Sequence, residues 1–196
     1  MSRKENYTLI LLAGGQSSRM GENKAKLLYK GMTFTRNLLT KAEILGIENV
    51  LISGFEEDGF TTVWDIYPQR GPLGGIHACM KQTKTPFCVV LPVDVPQIPV
   101  EVLEDLIHFH ETKVQNKKLP VLLKHGERRE NLIGIYPLEV MEFIEERIKE
   151  HSASVHGMLD DWGNVCFETS VQTWQVENIN KKEDYENLIL CSCKEK

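Results

Sequence analysis

The sequence lacks the residue patterns that hold zinc ions and the pattern that surrounds a serine nucleophile. Its five cysteines are odd in number and have no metal-ligand spacing. His108 and His110 lie two residues apart on a predicted helix, a spacing that puts them on different faces. Neither H-E-x-x-H nor G-x-S-x-G occurs. These absences argue against a structural or hydrolytic zinc site and against a serine hydrolase.

The chain has neither an excess of positive charge nor a long apolar run at its N-terminus. Its 23 lysines and arginines are outnumbered by 28 aspartates and glutamates, which gives a formal net charge of −5. That balance argues against general nucleic-acid or membrane-surface binding. The apolar run at 7–12 is too short for a signal peptide or a membrane span. We therefore expect a cytoplasmic protein, with reduced cysteines and with no nucleic-acid or membrane partner.

Apolar residues alternate between strand-like and helix-like patterns along the chain. Strands are predicted at 7–12, 49–53, 62–64, 87–91, 119–123, 132–136 and 166–169, and the charged stretch 124–131 separates two of them. Helices are predicted at 33–45, 101–110, 140–148, 155–162 and 182–190, and through Ile76 and Met80. This order predicts an α/β fold, a single three-layer domain over residues 1–196 with a mostly parallel sheet and helices on both faces. Ligands of such folds bind at the carboxyl ends of the strands.

The segment that follows the first strand has the composition of a phosphate-binding loop. Residues 11–24 read L-L-A-G-G-Q-S-S-R-M-G-E-N-K. Glycines allow backbone N–H groups to approach an anion, and Arg19 and Lys24 add fixed positive charge beside them. The loop is not a P-loop, since Asn23 and Ala25 flank the lysine, and its adjacent glycines do not fit the dinucleotide fingerprint. It is a nucleotide loop of another kind or a plain tight turn.

Asp94 ends the predicted strand at 87–91, the most hydrophobic of the chain, between Pro92 and Pro96. A carboxylate at this position can hold Mg²⁺, a hard cation that takes oxygen ligands and bridges phosphates. The alternative is that Asp94 caps the following helix, which Pro99 and the intervening residues make a poor fit. Trp64, Trp162 and Trp174 are interpreted as core or rim packing.

The motif L-A-G-G-x-x-x-R-M-G-x-x-K after an N-terminal strand resembles the signature loop of nucleotidyltransferases, and is most similar to that of the molybdenum cofactor guanylyltransferases. The family's C-D-x-P motif matches 93–96, with Val93 in place of the cysteine. The segment from Asp65 to G-P-L-G-G at 71–75 resembles the family's nucleotide pocket.

The resemblance implies a Rossmann-like nucleotidyltransferase fold that moves GMP from GTP to the phosphate of molybdopterin and releases pyrophosphate. Catalysis would depend on positioning and charge neutralisation, with Mg²⁺ on Asp94. The catalytic residues would be Arg19, Lys24 and Asp94, with Lys24 rather than Lys26 on the phosphates. Backbone amides from Ala13 to Gly15 would hold the triphosphate. The implied nucleotide-binding residues are Leu12, Ala13, Gly14, Gly15, Lys24, Asp65, Gly74 and Asp94.

Within this resemblance, Asp65 would contact guanine or ribose, and Gly74 and Gly75 would let the nucleotide lie close to the backbone. A turn-capping role is the alternative for Asp65. The acceptor side is implied by E-R-R-E-N-L-I at 127–133 and by N-I-N at 178–180, with Arg128, Asn178 and Asn180 as the binding residues. Asn131 stands where the family usually has proline, Lys181 and Lys182 replace its Thr-Pro, and Asn180 could equally cap the last helix. Other proteins of molybdenum cofactor biosynthesis are implied as partners.

Several alternative functions fit the same residues. One is a nucleotidyltransferase with another base or acceptor, such as a molybdopterin cytidylyltransferase or a sugar-phosphate nucleotidyltransferase. L-A-G-G favours the guanylyl group, because L-A-A-G is the commoner form in the cytidylyl one. A non-catalytic GTP-binding protein would not require Arg19, Lys24 and Asp94 together. A metal-dependent glycosyltransferase would carry a D-x-D motif, whereas Val95 and Pro96 follow Asp94.

Overall fold

The computed structural model describes residues 3–14, 23–152 and 154–194. The described part contains nine strands, namely β1 (Tyr7–Leu12), β2 (Leu28–Tyr29), β3 (Met32–Thr33), β4 (Asn49–Ser53), β5 (Thr61–Val63), β6 (Phe87–Pro92), β7 (Val121–His125), β8 (Arg128–Pro137) and β9 (Val165–Glu168). Its α-helices are α1 (Arg3–Asn6), α2 (Phe34–Ile44), α3 (Gly71–Met80), α4 (Val100–Thr112), α5 (Met141–Lys149), α6 (Val155–Trp162), α7 (Thr173–Val176) and α8 (Lys182–Lys194). Short 3₁₀ segments lie at Lys24–Lys26 and Leu138–Val140.

Seven strands form one sheet in the order β5-β4-β1-β6-β8-β7-β9, and β2 pairs with β3 in a separate hairpin. Four of the six neighbouring pairs in the large sheet are parallel, and β8 runs antiparallel to both β6 and β7. The predicted mostly parallel sheet is confirmed, and β9 lies at one of its edges. Because β5, β4, β1 and β6 are parallel, their carboxyl ends lie along the same side of the sheet.

Two hydrophobic clusters, one on each face of the sheet, give the domain its three layers. Successive side chains of a strand point to opposite faces. Accordingly Leu9 and Leu11 belong to one cluster, whereas Ile10 and Leu12 belong to the other. Buried residues of α2, α4 and α8 pack in the first cluster, and those of α3, α5 and α6 in the second. The predicted helical layers on both faces are confirmed.

Local signals explain why the helix at 33–45 was predicted accurately. Thr33 is the N-cap of α2, and its side-chain oxygen accepts a hydrogen bond from the Arg36 N–H at 3.1 Å. Gly46 follows the helix with φ of 71°, a left-handed conformation that glycine adopts without a steric penalty. The helix therefore begins and ends at the residues whose chemistry favours those ends.

The prediction that charged residues at 124–131 separate two strands is wrong. β7 extends to His125 and β8 begins at Arg128, so the two strands form a hairpin around Gly126, whose φ is 54°. The charged side chains pair with one another there: Glu130 Oε1 lies 3.0 Å from His125 Nε2 and 2.6 Å from Arg128 Nε. These contacts, one across the hairpin and one within β8, allow polar residues to occupy strand positions that an apolar pattern does not reveal.

The sequence pattern also missed α1, α7 and the β2–β3 hairpin, because elements of two to four residues are too short for a periodic signal. No helix in the described part of the chain is both long enough and apolar enough to cross a bilayer.

Candidate active site

A cavity of about 870 Å³ opens at the carboxyl ends of the four parallel strands. It is called the first cavity below. Its lining comes from the segments that leave β1, β4, β5 and β6, together with the start of α3 and one residue of β8. The lining residues are Leu12, Ala13, Gly14, Lys24, Ser53, Gly54, Trp64, Asp65, Pro68, Gln69, Gly71, Pro72, Gly75, Pro92, Val93, Asp94 and Leu132. This is the position that the rule for ligands of parallel sheets predicts.

Asp94 lies in a turn that backbone hydrogen bonds fix on two sides. The Val93 N–H donates to the Leu12 carbonyl at 2.9 Å, and the Ile179 N–H donates to the Asp94 carbonyl at 2.8 Å. α4 begins at Val100 with Pro99 as its N-cap. Asp94 therefore does not cap that helix, and the capping alternative is wrong.

Lys24 connects Asp94 to the C-terminal part of the chain. Its ammonium donates to Asp94 Oδ2 at 3.1 Å and to Asn180 Oδ1 at 2.7 Å. The Asp94 side chain is 17% exposed, so this ion pair is only partly screened by water. Lys26 is exposed and does not line the cavity. Of the two lysines, Lys24 is the one that lies beside Asp94.

Whether the Asp94 carboxylate suits a metal ion can be judged from its free oxygen and from the acidic residues around it. Its Oδ1 atom is buried and finds no hydrogen-bond partner among the described residues. No cluster of three or more histidines, cysteines, aspartates or glutamates suited to a metal occurs in the described residues. A single carboxylate that leaves other positions to water and substrate phosphates is typical of Mg²⁺ sites rather than of all-protein cages. The donor set therefore fits a hard divalent cation.

Asp65 follows β5 and faces the other end of the first cavity. Partial burial raises the pKa of its carboxyl above the ordinary value, because desolvation disfavours the charged form. A Cβ atom on Gly74 would lie 3.0 Å from Asp65 Oδ2. Gly75 lines the cavity but Gly74 does not, so Gly74 makes room for Asp65 rather than for a bound molecule. The predicted reason for a glycine at 74 is corrected accordingly.

The phosphate loop is described only at its two ends. Gly15 and Arg19 lie outside the described residues, and Gly14 and Lys24 lie inside them. The Gly14 backbone packs against Gly54, on which a Cβ would come 2.5 Å from the Gly14 Cα. Close contact between two strand ends is therefore one reason for glycine here, and the approach to an anion stays a prediction.

One of the predicted anion-binding amides is already used within the protein. The Ala13 N–H donates to the Ser53 carbonyl at 3.1 Å. Because an amide has a single hydrogen, Ala13 cannot donate to a phosphate in this conformation. Leu12, Ala13 and Gly14 nevertheless line the first cavity.

A second cavity of about 760 Å³ adjoins the first through the contact between Lys24 and Asn180. Its lining includes Arg128, Asn178 and Asn180, the three residues predicted to bind the acceptor, although β8 and the C-terminal segment are distant in sequence. Its lining residues are Gln97, Arg128, Trp174, Glu177, Asn178, Ile179, Asn180, Asp184, Asn187, Leu188 and Cys191. Arg129 instead donates to Asp160 Oδ1 at 2.8 Å and ties β8 to α6.

The alternative that Asn180 caps the last helix is wrong. Asp184 Oδ2 accepts the backbone N–H groups of Asn180 and Lys181 at 2.9 and 2.7 Å. Both amides precede α8, which begins at Lys182, and the Asn180 Oδ1 accepts from the Lys24 ammonium rather than from an amide of the helix.

A family model described as the MobA-like NTP transferase domain matches residues 9–161. The chain belongs to this family. A probable molybdenum cofactor guanylyltransferase of Clostridium perfringens (strain SM101 / Type A) is 30% identical over 200 residues, which cover 91% of this chain and 94% of that protein. A molybdenum cofactor guanylyltransferase of Pseudomonas fluorescens (strain SBW25) is 29% identical and covers 88% of each chain.

The fold of this MobA-like NTP transferase also matches a solved structure. Molybdopterin-guanine dinucleotide biosynthesis protein A from Archaeoglobus fulgidus superposes with a TM-score of 0.77 at 21% identity, covering 95% of this chain and 99% of that one. The predicted family resemblance, the fold and the nucleotidyltransferase class are confirmed. Nucleotidyltransferases of this kind generally use a divalent metal ion.

Sequence reasoning missed several residues of the two cavities. Ser53 directly ends β4, and the strand-end rule that found Asp65 and Asp94 would have found it. Leu132 of β8 also lines the first cavity. The pairing of β7 with β8 shifts register between Leu122 and Leu123, and no local sequence pattern predicts this shift. Trp64 and Trp174 were interpreted as packing residues, yet each lines a cavity.

Proposed function

We propose that this MobA-like NTP transferase transfers the GMP moiety of GTP to the terminal phosphate of molybdopterin. A phosphate oxygen of the acceptor attacks the α-phosphorus, the bond from that phosphorus to the α,β-bridging oxygen breaks, and pyrophosphate leaves with the bonding electrons. The observation that carries the proposal is the pair of Lys24 and Asp94, 3.1 Å apart at the junction of two cavities. An anionic nucleophile needs no general base, so positioning and charge neutralisation suffice.

The strand order supports a direction for the nucleotide. Asp65 follows β5 and Asp94 follows β6, and three strand intervals of roughly 4.8 Å separate them, a span of about 14 Å. That distance suits a nucleotide with its base at Asp65 and its phosphates at Lys24 and Asp94. The Asp65 carboxylate accepts the N1–H and N2–H donors of guanine, which adenine does not offer. These donors stabilise the charged form that burial disfavours.

Asp94 would hold Mg²⁺ through its unpartnered Oδ1. When bound, this ion neutralises charge on the phosphates that surround the reacting phosphorus. Lys24 then stabilises the leaving pyrophosphate as a fixed cation. We propose that the triphosphate lies along the segment 12–15, with the backbone amides of Gly14 and Gly15 as donors, because the Ala13 amide donates to Ser53. Arg19 would be a second cation, and for Gly15 and Arg19 the proposal rests on the family motif.

The second cavity is proposed as the molybdopterin site. Arg128 is half-exposed and gives it a cation for an anionic phosphate, and Asn178 and Asn180 give it amide hydrogen-bonding groups. Trp174 is 47% exposed in its wall and suits a flat pterin ring. The Lys24–Asn180 contact supports this choice, because the acceptor phosphate must reach the nucleotide at the junction.

The proposed setting is the cytoplasm, with other molybdenum cofactor proteins as partners. Burial raises the pKa of both the Cys79 and the Cys88 thiol to about 12. They stay protonated and inert at neutral pH, as expected of structural cysteines in a reducing compartment.

Thermal stabilisation by nucleotides tests the base assignment. With Mg²⁺ present, GTP is expected to raise the unfolding temperature more than ATP or CTP, because at equal concentration the ligand with the lower Kd stabilises the folded state more. The measurement is a melting curve for each nucleotide with and without Mg²⁺. A larger shift with CTP would replace the guanylyl assignment with a cytidylyl one.

Arg128→Ala tests the acceptor site. We expect the KM for molybdopterin to rise by about 10- to 100-fold, since hydrogen bonds to charged groups contribute roughly 1.5–3 kcal/mol, while the Kd of GTP stays unchanged. Lys182→Ala is the control, because Lys182 is an exposed cation two positions after the cavity residue Asn180 and does not itself line the cavity. An unchanged KM in the Arg128 variant would place the acceptor elsewhere.

A further inference from the structure

Trp64 is an exposed aromatic residue inside the nucleotide site. It comes between β5 and Asp65 and is 61% exposed, although tryptophan side chains are highly buried on average. Its neighbours in the wall of the first cavity are Asp65, Pro68 and Gln69 from the same loop. A flat indole ring therefore adjoins the carboxylate that the proposed function assigns to the guanine base.

The position of Trp162, in contrast, is explained by its contacts within the protein. Its ring centroid lies 5.2 Å from that of Phe143, and its indole N–H donates to the Lys118 carbonyl at 3.0 Å. No ring contact joins Trp64 to another aromatic residue of the described chain. The exposed surface of Trp64 thus faces the cavity and solvent rather than an aromatic neighbour.

We propose that Trp64 is the stacking surface for the nucleotide base. This inference rests on the proposed function, which puts the base at the β5 end of the first cavity. The two adjacent side chains contact different parts of the base: the indole stacks on its face, and the Asp65 carboxylate accepts hydrogen bonds from its edge. Stacking on an aromatic side chain accepts every base, because each base has a π-face. Trp64 accordingly supplies affinity, and Asp65 supplies the preference for guanine.

Equilibrium binding of GTP, ATP and CTP with Mg²⁺ to the full-length chain tests this division. Trp64→Ala is expected to weaken every nucleotide by about 5- to 100-fold, as removal of a stacking partner does, and to keep their order of affinity. Trp64→Phe keeps a ring and should retain most of the affinity. Inorganic tripolyphosphate, which has no base, should bind Trp64→Ala as tightly as it binds the unaltered chain.

Two controls separate stacking from a general effect on the loop. Ile66→Ala removes an exposed apolar residue two positions away that does not line the cavity, and it should leave all affinities unchanged. Tryptophan fluorescence gives an independent signal: GTP should quench the emission of the unaltered chain, and Trp64→Phe should lose most of that quenching. Because Trp64 is exposed, its substitution should leave the melting temperature of the free protein within a few degrees.

The outcomes distinguish the failure of this inference from the failure of the proposed function. If Trp64→Ala binds the preferred nucleotide as tightly as the unaltered chain does, stacking is wrong whichever nucleotide that is. Equal weakening of tripolyphosphate would overturn it too, because the effect would then not involve the base. A preference of the unaltered chain for CTP would remove the guanylyl assignment alone, while loss of CTP affinity in Trp64→Ala would still support stacking.

Discussion

Asp94→Ala is expected to lower kcat/KM for guanylyl transfer by at least about 1,000-fold. A bound metal ion contributes several kcal/mol of charge stabilisation in phosphoryl transfer, and each 1.4 kcal/mol corresponds to a factor of ten. Asp94 lines the first cavity and has a buried carboxylate oxygen with no hydrogen-bond partner among the described residues, so its loss removes the ligand that we propose for Mg²⁺. The measurement is steady-state transfer over a range of Mg²⁺ concentrations.

A binding measurement without turnover accompanies this test. In the unaltered chain Mg²⁺ should tighten GTP binding, and in Asp94→Ala that dependence should disappear. Asp105→Ala, an exposed aspartate on α4 away from both cavities, is the matched control and should behave like the unaltered chain. Near-normal Mg²⁺-dependent turnover of Asp94→Ala would show that the metal is held elsewhere.

Lys24→Ala is expected to weaken the binding of GTP with Mg²⁺ by about 10- to 100-fold. The Lys24 ammonium lies 3.1 Å from Asp94 Oδ2, and among the described residues Lys24 is the lysine that lines the first cavity. A charge-assisted hydrogen bond to phosphate contributes roughly 1.5–3 kcal/mol. Tripolyphosphate should lose affinity by a similar factor, because the lysine contacts the phosphates rather than the base. Calorimetric titration of both ligands measures the effect.

Lys26→Ala provides the control within the same segment. Lys26 is exposed and absent from the cavity lining, so its removal should leave GTP affinity within about twofold, as surface substitutions away from a site usually do. If the two alanine variants bound GTP equally well, the assignment of Lys24 to the phosphates would be lost. A strong loss in Lys26→Ala alone would move the role to that lysine.

The Trp64 and Lys24 variants are expected to differ in their affinity for tripolyphosphate. Loss of Trp64 should spare tripolyphosphate, whereas loss of Lys24 should weaken it, because the two side chains belong to opposite ends of the first cavity. The strand order sets this separation, since Trp64 follows β5 and Asp94, the partner of Lys24, follows β6. The two variants therefore report separately on base and phosphates.

Much of the sheet was predictable, because β1, β4 and β6 are short apolar runs between turn residues and the helices that follow carry periodic apolar residues. Their alternation is sufficient to predict a mostly parallel sheet. The prediction of strand bounds failed at β7 and β8, where contacts between polar side chains rather than an apolar pattern accompany the strand ends. The end of β7 and the start of β8 are charged, and there Glu130 pairs with His125 across the hairpin and with Arg128 on its own strand.

The sequence by itself determined the family and the strand ends that carry Asp65 and Asp94, since both follow from local order along the chain. The tertiary structure decided which side chains meet. Lys24 and Asn180 are 156 residues apart, yet they form the contact between the two cavities. Arg128 and Arg129 are adjacent, yet one lines a cavity and the other ties β8 to α6. Such placements depend on strand order and packing between distant segments, which no local pattern encodes.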